Sequence, residues 1–115
     1  MPYEVSTRLG RLAWTEEVIA TLAGLAATEC PGVAGMAARG VGAGLAELLG
    51  RESLSRGVEV AVREGKVDLT LNIMVRYGGH IRAVAAEVAG RVREVVEEAG
   101  IRVGRVTVQV QGVRV

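Results

Sequence analysis

Side-chain catalysis needs a nucleophile beside a base, or two carboxylates held at a working distance, and this chain has few residues from which to build either. Its one histidine, His80, follows Gly78 and Gly79 and precedes a helical pattern of apolar residues. That placement suits a hydrogen bond at a helix start, and no nucleophile stands near it in the sequence. The one cysteine, Cys30, precedes Pro31 at the end of another helical pattern, where either a small, half-buried apolar role or incidental exposure fits better than nucleophilic chemistry. With no second thiol and no histidine close by, Cys30 can form neither an intrachain disulfide nor a metal site. Of the thirteen acidic residues only Asp68 is an aspartate, and the glutamates mostly decorate helix faces, so no carboxylate pair can be assigned to acid-base work. The expectation is a non-enzymatic protein without cofactor or metal.

Two glycine motifs invite a binding role. Gly40, Gly42 and Gly44, behind Arg39, resemble a phosphate loop leading into a helix, but the spacing fits neither G-x-G-x-x-G nor G-x-x-x-x-G-K-[ST]. Gly32 to Gly35 reads GVAG and matches the G-x-x-G of RNA-binding KH domains, although its middle residues are apolar. A KH-like RNA- or ribosome-associated module is therefore the alternative to a protein-binding one. Composition weighs against it. The net charge is +1, the aromatic content is 3% and phenylalanine is absent, so neither a cationic field nor a base-stacking surface is available.

The elements that must position any site follow from periodicity. Thr15 before Glu16 and Glu17 is a capping signal, and a helix is expected from about Thr15 to Glu29, ended by Pro31 and Gly32. Gly10 to Trp14 precedes it as a short apolar segment. Val33 to Ala37 reads as a weak strand, and Leu45 to Leu49 as a short helix closed by Gly50, within a glycine-rich arm at about residues 32–56.

Apolar residues then alternate on both sides of Gly65. Val58, Val60 and Val62, followed by Val67, Leu69, Leu71, Ile73, Val75 and Tyr77, predict a hairpin with one apolar face. From Ile81 the residues Val84, Ala85, Val88, Val92, Val95 and Val96 fall on one side of a longer helix stopped by Gly100, with Glu87 four residues before Arg91. Val103, Val106, Val108 and Val110 make a last strand, its alternation interrupted by Gly104.

These elements predict a single α+β domain over residues 1–115. The architecture is a two-layer sandwich: a small mixed or antiparallel sheet of three to four strands with the two main helices on one face. The other face carries Asp68, Thr70, Asn72, Met74, Thr107, Gln109 and Gln111. It is either solvated or a partner surface, and Thr70, Asn72, Met74, Thr107 and Gln109 are the candidate interface. No signal peptide or membrane span is visible, so a cytoplasmic protein without an integral membrane segment is expected.

The blocks EEVIATLAGLAATECPGVAGM and GLAELLGRESLSRGVEVAV, the strand LNIMVRYG and the ending VTVQVQGV resemble, in this order, the alkaline shock protein family of bacterial envelope stress proteins. The resemblance covers roughly residues 10–113. It implies a non-enzymatic protein of mainly Gram-positive bacteria, concerned with cell-envelope homeostasis and stress response. It also implies self-association into a homo-oligomer and, in some relatives, attachment to the inner membrane surface through a separate anchor protein. The family supplies no catalytic residues. Cys30 and His80 depart from what it leads one to expect, as does the lack of charged terminal extensions.

Overall fold

The computed structural model describes residues 3–37, 55–78 and 80–115. In chain order these form β1 (Tyr3–Thr7), β2 (Gly10–Trp14), α1 (Glu16–Thr28), β3 (Val33–Met36), β4 (Val58–Arg63), β5 (Lys66–Arg76), α2 (Ile81–Glu98) and β6 (Val103–Arg114). The expected α+β class holds. The sheet β3–β6 is mixed: β3 and β4 run antiparallel to β5, and β6 runs parallel to it. The short helix expected at Leu45 to Leu49, the Gly40–Gly44 loop and most of the glycine-rich arm lie outside the described residues.

The hairpin β4–β5 turns at Glu64 and Gly65, both with positive φ (51° and 76°), the twist that suits a two-residue connection. Its register pairs Val58 with Leu71, Val60 with Leu69 and Val62 with Val67, so one apolar face results, as the alternation predicts. Tyr77 does not continue that face. It lies beyond the strand and is 75% exposed.

β5 is the central strand of the sheet, and one of its edges is shared. β4 takes the first half, from Lys66 to Leu71, and β3 the second, from Ile73 to Val75. The two meet at Asn72, whose N–H donates to the Gly57 carbonyl (2.8 Å) and whose carbonyl accepts from Ala37 N–H (2.9 Å). Gly57 makes the junction possible. A Cβ there would stand 2.9 Å from Met36 Cβ and 3.3 Å from the Ala37 carbonyl oxygen, so only a residue without a side chain lets the strand ends abut.

Both helices cover the same face. Thr15 caps α1 by accepting the Val18 N–H (3.2 Å), and Glu16 and Glu17 occupy its first turn. His80 caps α2, its Nδ1 accepting the Ala83 N–H (3.3 Å). α1 packs over β3 and β4, α2 over β6, and the helices touch each other. The small residues Ala20, Ala23, Ala26 and Ala27 of α1, all buried, allow that approach, while Val88, Val92 and Val96 of α2 join Leu69, Leu71 and Ile73 in one buried core. Each of these large side chains contributes about 1.5–3 kcal/mol by leaving water. The proposed Glu87–Arg91 pair is not the one formed. Arg91 reaches Glu94 (3.1 Å) and Glu29 of α1 (3.5 Å), because Glu87 lies by the Cys30 thiol.

The apolar segment Gly10–Trp14 is a strand. It pairs with Tyr3–Thr7 in an N-terminal hairpin that packs Tyr3, Val5 and Trp14 onto the core. The Tyr3 and Trp14 rings lie 5.7 Å apart, and the Tyr3 hydroxyl accepts the Arg102 N–H (3.2 Å), tying the hairpin to the entry of β6.

A side chain at position 57 must push β3 away from β4. We expect Gly57→Val to cost about 1–3 kcal/mol of unfolding free energy by denaturant titration, with the folded secondary structure retained.

Candidate functional site

The face of the sheet opposite the helices brings together most of the polar residues singled out in the sequence. Register places Thr70 beside Thr107 and Asn72 beside Gln109, with Glu59 of β4 on the other side of Thr70. Their exposure is uneven. Thr107 and Gln109 are exposed and Thr70 is half-buried, whereas Asn72 (0%) and Met74 (3%) are buried. These last two are therefore corrections to the expected interface. Met74 packs with Ala34 and Ala37 in a second, small apolar cluster. Asn72 is buried because its polar atoms are all engaged within the chain. Its amide nitrogen donates to the Gly57 carbonyl (3.3 Å) and to Glu59 Oε2 (3.4 Å), and its Oδ1 accepts from Gln111 Nε2 (2.8 Å). A buried amide is stable only when so satisfied.

Gln111 was noted in the sequence only as one of several outward residues. Its partnership depends on a bulge: Ile73 faces Val110 and Met74 faces Gly112, which leaves Gln111 as the extra residue. The signal was the step from Gln109 to Gln111 before Gly112. A second irregularity lies at the start of β6, between the pairs Val67–Val103 and Leu69–Val106. There Asp68 fills the gap. Its Oδ1 accepts the Arg105 N–H (2.9 Å) and its Oδ2 the Arg63 guanidinium (2.6 and 3.0 Å), and a Cβ at Gly104 would collide with the carboxylate. The Arg105 N–H and then Arg63 hold the Asp68 carboxyl below its ordinary value. From α2, Arg93 donates to the carbonyls of Val103 (3.1 Å) and Gly104 (2.8 Å), fixing the same turn from the helix side.

The remaining sequence candidates do not converge. Cys30 is buried, its Sγ turned to the Ala26 carbonyl (3.8 Å), and burial together with the neighbouring Glu87 carboxylate holds the thiol above its ordinary value, the neutral form. His80 is committed to the α2 cap, as its place in the sequence suggests. Gly32 sits in the turn before β3 against Val84, and Gly35 lies within β3, so the GVAG segment is a strand start and not the loop a KH domain uses. A depression of about 210 Å³ between α1 and β4 is lined by Glu16, Glu17, Ser55, Arg56, Val58 and Val60. It is open and smaller than the roughly 300–1,000 Å³ of most ligand sites. Among the described residues no cluster of histidine, cysteine and carboxylate side chains could hold a metal ion. No described helix is long and apolar enough to cross a membrane.

The fold and this face define a small two-layer module whose surface offers contacts and no recognisable reaction centre among the described residues. Residues 4–115 match the model of the alkaline shock protein 23 family, described as having a cell envelope-related function, and the chain belongs to that family. It is 39% identical over 117 residues to the uncharacterised protein YloU of Bacillus subtilis, covering 100% of this chain and 98% of that one. The uncharacterised protein Spy1614 of Streptococcus pyogenes is 30% identical, covering 100% and 97%, and the uncharacterised protein YqhY of Bacillus subtilis is 28% identical, covering 94% and 80%. No solved structure matches the chain.

Two predictions follow from the polar groups of this face. Asn72→Ala should cost about 1–3 kcal/mol, because Gln111 and Glu59 lose a buried partner, as measured by thermal and denaturant unfolding. Asp68 has a folded pKa below the unfolded value of about 3.9, so its stabilisation is fully present above that value and is lost as pH falls through the folded one. Asp68→Asn should be less stable than the native chain at pH 7, with the difference narrowing as pH falls below the unfolded value of about 3.9. A difference that persists unchanged to pH 2 would contradict the assigned role.

Proposed function

We propose that this protein serves the cell envelope as a non-enzymatic interaction module that binds other proteins and further copies of itself. The proposal places it in the cytoplasm, held at the inner membrane surface by an anchor protein. The family supports the envelope setting. Exposed apolar surface supports the mode of action. Tyr77 (75%), Ile81 (45%) and Val113 (43%) lie where the ends of β5 and β6 meet the start of α2, with the Tyr77 N–H donated to the Arg114 carbonyl (2.9 Å). Apolar side chains gathered in this way favour protein contact over free solvation. Of the five candidate interface residues, the two that are exposed, Thr107 and Gln109, also lie on β6, so the working surface in this reading is the β6 side of the molecule.

Light scattering coupled to size exclusion over a wide concentration range tests self-association. The native chain should gain mass with concentration and Thr107→Lys should gain less, while Thr70→Lys, half-buried in mid-sheet, should have the smaller effect on assembly. A monomer at every concentration would overturn the self-association part of the proposal.

A further inference from the structure

The two edges of the β3–β6 sheet are unlike. One is divided between the short strands β3 and β4, of four and six residues, and carries the charged Glu59 and Arg63. The other is a single strand of twelve residues, β6, paired on its β5 side and with no second strand among the described residues. From Val106 to Val113 it carries no charge and no proline, the devices that usually guard an exposed edge. Its irregularities fall at Gly104–Arg105 and at Gln111, which leaves Val106 to Val110 as a regular run in which alternate residues turn their backbone donors and acceptors away from β5.

Resting on the self-association proposed above, we infer that a second copy of this chain adds to this edge, β6 against β6 in antiparallel order about a two-fold axis through Val108. The run is self-complementary in that register. Val106 falls opposite the partner subunit's Val110 and Thr107 opposite the partner subunit's Gln109, so apolar residues meet apolar ones on the helix side and polar meet polar on the other. Continued outward, Arg105 approaches the partner's Gln111, so no like charges are opposed between Arg105 and Gln111. A register shifted by one residue would set valines against threonine and glutamine across the two faces, and is disfavoured. A two-fold arrangement is the ordinary way for one surface to bind itself.

The helix layer leaves room for this. Arg93 reaches the start of β6 from the side of α2 that faces away from α1, and one and two turns earlier that side carries Ala89 and Ala86. Such short side chains let the partner's α2 approach over the seam. Val110, on the helix side of β6 and 37% exposed, would be covered by the same contact.

The double variant Thr107→Cys/Gln109→Cys, oxidised in dilute solution, should yield a covalent dimer on a non-reducing gel, whereas Thr70→Cys should not. Cys30 is buried and supplies no competing thiol. Val110→Lys, checked for native circular dichroism, should weaken self-association measured by light scattering about tenfold or more. Cross-linking together with weakened association supports the edge pairing. Association that survives Val110→Lys with no cross-link overturns the β6 edge while leaving a self-associating protein that uses another surface. A native chain that stays monomeric overturns both.

Discussion

Everything in this domain is arranged around a strand that is hydrogen-bonded along both edges. β5 carries Leu69, Leu71, Ile73 and Val75 to the helices and is itself held by β3 and β4 on one side and β6 on the other. Asn72 is the point at which these dependencies cross. Its backbone joins the two strands of the shared edge, and its side chain reaches across to Gln111 of β6. An apolar residue there would keep the backbone bonds but leave Gln111 and Glu59 with fewer partners, so the buried amide is less a concession than the piece that sets the register of three strands at once. Asp68 and Gly104 perform a parallel task four residues earlier, where a carboxylate replaces a missing stretch of ladder.

Much of this was legible in the sequence because period and capping carry direct physical meaning. The alternation around Gly65, the Thr15 cap and the valine stripe of α2 each specify one local answer, and the structure gives those answers. The N-terminal hairpin was less legible, since its two strands are short and its apolar residues, Tyr3, Val5, Leu12 and Trp14, are sparse. The outer face was legible as polar but not as buried. Periodicity states which way a side chain points and nothing about what lies in front of it, so Asn72 and Met74 read the same as Thr107 and Gln109. Bulges are invisible to alternation for the same reason, and both of those in β6 decide which polar groups meet.

The candidate site was legible mainly through what the side chains cannot do. Cys30 and His80 are bound to their own helix ends and do not converge. What the described residues offer to other molecules is surface: an edge strand without charge from Val106 to Val113, exposed apolar residues at one end of the sheet and a pair of polar residues on β6. This fits a family with a cell envelope-related function more readily than it fits turnover of a small substrate.

The division of one edge between β3 and β4 also bears on how the chain gets to this structure. β4 meets β5 through a two-residue turn, a local contact that closes at small entropic cost, whereas Val33 meets Val75 only after a long stretch of chain has been brought round. The hairpin is thus available as a template before β3 arrives, and Gly57 marks the place where the late strand must seat against the early one. The four residues of β3, with a shift in register between Val33 and Gly35, are the shortest pairing in this sheet and the one with the fewest ladder bonds to lose on opening. The centre of the sheet can stay closed while this one segment exchanges its hydrogens with water.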